Sequence, residues 1–170
     1  MKDIEYIKED LRKSIGEKLY IHCINVMNTA IDLALNYNIS TDKAMIAGLL
    51  HDSGKLLNKN VGNLEHAVLG SEIAANKYGI NDTDVLNAIL YHTTGRENMT
   101  MLEKIIYLAD KIEPNRRYDG VETIRELAYT NIDEAIIKSL ENTFKYLKSK
   151  NIKIDNQSLV TYDFLKKSMH

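Results

Sequence analysis

A single cysteine, Cys23, occurs in 170 residues. That excludes an intramolecular disulfide framework and suits a reducing, cytoplasmic compartment. One proline and eight glycines leave few helix breakers, which favours long helices over strands and turns. No apolar run approaches the ~20 residues needed to span a bilayer. Met1-Lys2-Asp3-Ile4-Glu5 is charged where a signal peptide needs an apolar core. Neither sign of charge is in excess. A net charge of −2 gives no general electrostatic ground for binding nucleic acid or an anionic membrane. What is present is 44% hydrophobic and 27% charged, the balance of one globular domain with a substantial core.

The apolar spacing is helical nearly throughout. Residues 3–13 predict a short amphipathic helix, and Ser14 with Glu17 has capping-box spacing to start the next. That second helix carries Leu19, Cys23, Val26, Met27, Ala30, Leu33 and Ala34 on one stripe, with His22 on the same stripe. Ser40 predicts an N-cap, after which Ala44, Ala47, Gly48 and His51 share a face, and the helix stops near Gly54. A loop is expected over 57–62. Helix resumes around Asn63 and ends at Tyr78-Gly79. Asp82 or Thr83 caps a helix that carries Val85, Ala88, Ile89 and His92. Thr100 and Glu103 form a second capping box, and Pro114 closes the helix they start. Further helices are expected over 121–130 and 132–149, with a last short one from Asn156 or Ser158. No strand, linker or repeat is evident. The expectation is an all-α, single-domain protein, residues 1–170.

Leu49-Leu50-His51-Asp52-Ser53-Gly54-Lys55 concentrates the chemistry. An apolar face runs into an imidazole beside a carboxylate, then a small step, then a cation. His66 and His92 also lie on apolar faces, as does Asp110, one residue after Ala109. His170 is terminal and stands apart. A lone histidine on such a face is more often a hydrogen-bonded core residue than a ligand. Here His22, His51, His66 and His92 sit on four different predicted helices, joined by two inward aspartates. Burying them without partners would cost several kcal/mol, and cations would satisfy them together. Imidazole and carboxylate donors suit iron, manganese, zinc or nickel, and the absence of thiolates argues against a structural zinc cluster. The pattern points to a metal site acting on phosphate esters or anhydrides.

The order His22, His51-Asp52, Asp110 resembles the HD-domain superfamily of metal-dependent phosphohydrolases. His51-Asp52-Ser53-Gly54-Lys55, His66-Ala67-Val68-Leu69-Gly70, Tyr91-His92-Thr93-Thr94-Gly95-Arg96 and the run Tyr107 to Arg116 are similar to one family within it, the YqeK family. The likeness covers about residues 14–165. It implies an HD-superfamily helical bundle and a symmetrical bis(5′-nucleosyl)-tetraphosphatase that splits diadenosine tetraphosphate into two ADP. It also implies an iron-preferring, dinuclear site, with manganese or another divalent metal as substitute. Carried over by position, His22, His51, Asp52 and Asp110 surround one metal, and Asp52 bridges to a second held by His66 and His92. The segment between Lys55 and His66 is short against the family pattern.

In such a site two cations clamp a phosphate and activate water. Asp52 and Lys55 are the expected catalytic groups. Lys55, Arg96 and Arg116 are expected to neutralise phosphate oxygens, helped by donors from Thr93 and Gly95. Lys104 and Lys111 read as solvated helix-face residues. The expected partner is a small-molecule nucleotide, with no nucleic acid and no membrane, and a homodimer is allowed. Two other functions compete. One is a nucleotidase or nucleoside-triphosphate hydrolase using the same site. The other is a non-catalytic HD-like signalling or scaffold module, against which the complete ligand set counts. A cyclic-dinucleotide phosphodiesterase is disfavoured by the absence of a G-Y-P motif.

Overall fold

The computed structural model describes residues 1–57 and 59–169. Asn58, within the expected 57–62 loop, and the terminal His170 lie outside the described residues. Among the described residues the chain forms nine helices and no strand. They are α1 (Ile4–Ile15), α2 (Glu17–Asn36), α3 (Thr41–Leu50), α4 (Glu65–Asn76), α5 (Thr83–Leu90), α6 (Met101–Ile112), α7 (Val121–Thr130), α8 (Ile132–Ser149) and α9 (Asn156–Ser168). No described helix is long and apolar enough to cross a membrane.

Helix α6 is the axis of the bundle. Leu102, Ile105, Ile106, Leu108, Ala109 and Ile112 are all buried along it. Helices α2, α3, α5 and α8 pack around it. Each fully buried Leu or Ile stabilises the fold by roughly 1.5–3 kcal/mol, so α6 is fixed in place by its neighbours on several sides. Asp110 lies on this helix and is therefore carried into the core with it.

The caps largely follow the sequence. Ser40 accepts from the Lys43 amide, Asp82 from Asp84 and Val85, and Thr100 from Glu103. Two expectations need correcting. Ser14 does not start α2; it lies in the last turn of α1, where its hydroxyl donates to the Asp10 carbonyl. The break is made by Gly16, whose φ of 83° is open to glycine and strained for other residues. At Thr100 only half of the capping box forms. The Glu103 side chain turns instead to Arg96, with contacts of 2.8 and 2.6 Å.

The final helix is longer than expected, 13 residues from an Asp155 cap. It ties down the turn after α5, because the Thr161 hydroxyl donates to the Thr94 carbonyl at 2.9 Å. That turn carries His92.

Candidate metal centre

Five helices deliver the ligands. His22 projects from the body of α2. His51 is the C-cap of α3, and Asp52 follows in the next turn. His66 lies in the first turn of α4, His92 just past α5, and Asp110 near the end of α6. Close backbone approach makes this convergence feasible. A Cβ on Gly54 would stand 2.0 Å from the His66 carbonyl oxygen, so only glycine lets the turn after Asp52 lie against α4. A Cβ on Gly48 would meet the Met27 backbone at 2.8 Å, and this contact brings α3 onto α2.

The six residues form two sets that share Asp52: His22, His51, Asp52 and Asp110, and Asp52, His66 and His92. Within each set the donor atoms lie within 4.8 Å of one another. Asp52 divides its oxygens between them. Its Oδ2 lies 3.4 Å from His51 Nε2 and 3.7 Å from His22 Nε2. Its Oδ1 lies 3.2 Å from His66 Nε2 and 3.3 Å from His92 Nε2. Asp110 Oδ1 completes the first set, 3.0 Å from His22 Nε2 and 3.5 Å from His51 Nε2.

The ring tautomers point the same way. His51 Nδ1 lies 2.8 Å from the Gly48 carbonyl, His92 Nδ1 2.7 Å from Ile89, and His66 Nδ1 3.4 Å from Gly62. A carbonyl only accepts, so each Nδ1 donates, and each ring in its neutral, metal-ligating form turns its Nε2 lone pair inward. The Nε2 atoms of His66 and His92 then face each other at 3.2 Å. Two lone pairs at that distance repel unless a proton or a cation stands between them. His51 Nε2 and Asp52 Oδ1 are buried and make no hydrogen bond. The spacing fits coordination. Bonds of ~2.1 Å put neighbouring ligands about 3.0–3.4 Å apart, close to the separations seen. The donor set is therefore that of a divalent-metal site.

The charges are strongly coupled. Burial opposes the charged form of His51, but Asp52 and Asp110 outweigh it and lift its pKa to about 10. Burial also opposes ionisation of Asp52, yet His51, His66 and His92 hold that carboxyl well below its ordinary value. Asp110 is depressed likewise against burial, by Lys111, His22 and His51. His92 moves the other way: burial lowers its pKa, and the neighbouring His51 adds to the effect. Buried ionisable groups perturbed by specific partners are characteristic of functional sites.

Two of the predicted phosphate contacts reach this centre. Lys55 Nζ lies 2.9 Å from Asp52 Oδ2. Arg116 donates to the Asp110 carbonyl at 2.8 Å and to its Oδ1 at 2.9 Å. Arg96 is engaged elsewhere: its Nε and Nη2 grip the buried carboxylate of Glu103, and its guanidinium stacks over Tyr91 at 5.1 Å. Gly95 does not offer its amide as expected, because that N–H donates to the Tyr91 carbonyl at 2.8 Å. Thr93 stands half-buried beside His92.

The two lysines read as solvated are not. Lys104 pairs with Asp133 at 2.6 Å, and Lys111 with Asp110 Oδ2 at 2.7 Å. Lys111 thus belongs to the site, and so does Glu113, whose Oε1 lies 3.2 Å from His22 Nδ1. A signal for Glu113 was available: an acidic residue at a helix C-terminus opposes the helix dipole and calls for a compensating partner.

The description "HD domain" names the family model that matches residues 19–115. The chain is 39% identical to the symmetrical bis(5′-nucleosyl)-tetraphosphatase of Bacillus subtilis, over 91% of this chain and 93% of that one. It is 43% identical to the protein of the same description from Halalkalibacterium halodurans, over 91% and 92%. A crystal structure of a predicted HD-superfamily hydrolase involved in NAD metabolism, from Clostridium acetobutylicum, superposes with a TM-score of 0.92. It is 37% identical to this chain, and the match covers 99% of both.

Proposed function

Because the chain belongs to the HD-domain superfamily and, within it, to the family of symmetrical bis(5′-nucleosyl)-tetraphosphatases, we propose that it hydrolyses diadenosine tetraphosphate to two ADP at the centre described above. The observation that carries this reading is the division of Asp52, one oxygen turned to each ligand set. A single buried carboxylate placed in this way suits two cations better than one.

When bound there, two divalent cations supply Lewis acidity toward a phosphate and a strongly acidified water. The donors, imidazole and carboxylate without thiolate, suit iron, manganese, zinc or nickel alike; iron is our choice for the native metal on the family resemblance, with manganese or another divalent metal as a substitute. His22, His51, Asp52 and Asp110 hold the first cation, and Asp52, His66 and His92 the second. Lys55, itself partly exposed beside the buried Asp52, neutralises nonbridging oxygens as charge builds on the attacked phosphorus. Arg116 offers its remaining donors from a fork already fixed on Asp110. Arg96, with its Nε and Nη2 committed to Glu103, has at most its outward N–H groups left for a phosphate, so its role is secondary, and Thr93 offers its hydroxyl. Water adds to one of the two central phosphorus atoms. The bond from that phosphorus to the central bridging oxygen breaks, and ADP leaves with that oxygen as a stable anion.

The charge balance agrees with a polyphosphate substrate. The carboxylates of Asp52, Asp110 and Glu113 stand against the cationic Lys55, Lys111 and Arg116, so two bound divalent cations leave the site strongly positive. Residues 1–170 act as a single catalytic domain in this reading. The one cysteine, buried and unpaired, suits a cytoplasmic location. The decisive assay incubates iron- or manganese-loaded protein with diadenosine tetraphosphate and separates the products. ADP alone is expected. ATP with AMP would contradict symmetrical cleavage, and turnover of mononucleotides alone would favour the nucleotidase alternative.

A further inference from the structure

The four histidines are not all held by the same means. His51 and His92 stand at the ends of α3 and α5, and His66 stands in the first turn of α4. Backbone carbonyls near helix ends are free of the helical ladder or can share a second donor. Each of these rings uses one: Gly48, Ile89 and Gly62 respectively. His22 differs. It sits inside the 20-residue helix α2, where carbonyls already accept from the amide four residues on, and its Nδ1 is met by a side chain instead.

That side chain is Glu113. It is buried, 3% exposed, and is fixed from three directions. Oε1 accepts from His22 Nδ1 at 3.2 Å. Oε2 accepts from Asn25 Nδ2 at 3.2 Å and from the Asn115 amide at 2.8 Å. Asn25 follows His22 by three residues on the same face of α2, so one carboxylate grips that helix twice. The backbone is set as well. Glu113 is the C-cap of α6 with φ −51° and ψ 154°, the extended geometry that a following proline imposes. Pro114 is the only proline in the chain.

We propose that Glu113 is a positioning residue for the first metal subsite, holding His22 in the tautomer and orientation that present Nε2 to the cation. The inference rests on the metal-centre reading above. A carboxylate behind a ligating imidazole fixes the ring and raises its basicity, and losing such a partner typically costs 10–100-fold in metal affinity. Glu113 also accepts from the amide of Asn115, one residue before Arg116. The same carboxylate therefore links a metal ligand to the loop that carries a phosphate contact.

The test strips the protein of metal and measures Mn²⁺ affinity by chelator competition, for wild type, Glu113→Gln and Glu113→Ala, with thermal unfolding alongside. Glu113→Ala should bind the first Mn²⁺ about 10–100-fold more weakly. Glu113→Gln should fall between it and wild type, because an amide oxygen still accepts from Nδ1 but carries no charge. If both variants bind Mn²⁺ as wild type does, whether or not they melt earlier, Glu113 does not position His22 for the cation and the proposal fails. Should Glu113→Ala not fold, the near-isosteric Glu113→Gln decides between the same two outcomes. Wild-type protein that binds no Mn²⁺ would overturn the metal-centre reading itself, a failure distinct from the first.

Discussion

Asp52 Oδ2 faces His22, His51 and Asp110, while its Oδ1 faces His66 and His92. The first neighbourhood is rich in charge. It holds a second carboxylate, is approached by Lys55, Lys111 and Arg116, and contains His22, whose side chain is 15% exposed. The second consists of two imidazoles, each nearly inaccessible and each braced by a carbonyl. Carboxylates attract a divalent cation more strongly than neutral imidazoles do. The first subsite should therefore fill first. In the proposed two-cation centre the second, with fewer protein ligands, would leave more coordination positions for water and phosphate. Two such subsites sharing one carboxylate would divide the work, one anchoring its cation and the other presenting it.

The sharpest way to break this comparison is to remove the group both sides share. Asp52→Ala should abolish binding of both cations and lower turnover by at least about 10³-fold, measured by elemental analysis beside the product assay. His66→Ala should empty only the imidazole side. We expect cation content to fall from two per chain toward one and turnover to fall by roughly 10²-fold, with the first cation still held.

Proton linkage separates the subsites by another route. In cation-free protein His51 has its pKa raised from 6.5 to about 10. A cation at Nε2 must displace that proton, so affinity at the first subsite should rise with pH, by up to about tenfold per unit below the raised value. The same shift acts on folding. A raised histidine pKa contributes stability that is fully present below 6.5 and is lost as pH climbs through about 10. Asp52 and Asp110 act oppositely: their stabilisation is present above 3.8 and is lost as pH falls through their depressed values. With chelator, the melting temperature should decline across the alkaline range. With saturating cation His51 is already neutral, and that decline should shrink.

Smaller effects test the surroundings. Lys55 is 41% exposed beside a buried carboxylate. Lys55→Ala should lower turnover about tenfold while cation content stays at the wild-type value. Arg96→Ala should act mainly on the fold. It leaves the Glu103 carboxylate, 1% exposed, without its partner. We expect a loss of about 1–3 kcal/mol, read by denaturant unfolding, with cation content unchanged.

Much of this was legible in the residues, for identifiable reasons. The helices over 121–130 and 132–149 appear where the spacing puts them, because their apolar faces repeat cleanly and nothing interrupts them. The ligand residues stood out because imidazoles and carboxylates on apolar stripes are costly without a partner. What was missed depends on contacts distant in sequence. Glu113 acquires its role only because α2 brings His22 beside it, 91 positions away in the chain. Lys111 looks solvated until α6 is seen to be buried on nearly every side. Arg96 matches the family string, but its fork is committed to Glu103, which local spacing had assigned to the Thr100 cap. At Ser14 the capping pattern was genuine as spacing, yet Gly16 supplies the break that a cap cannot.

The most direct test of the central claim is a count of bound metal. Iron or manganese per chain should be measured by elemental analysis in wild type and in the His66→Ala/His92→Ala double variant. The account predicts two cations per chain in the wild type and one in the double variant. An equal count in the two proteins would contradict a centre bridged by Asp52.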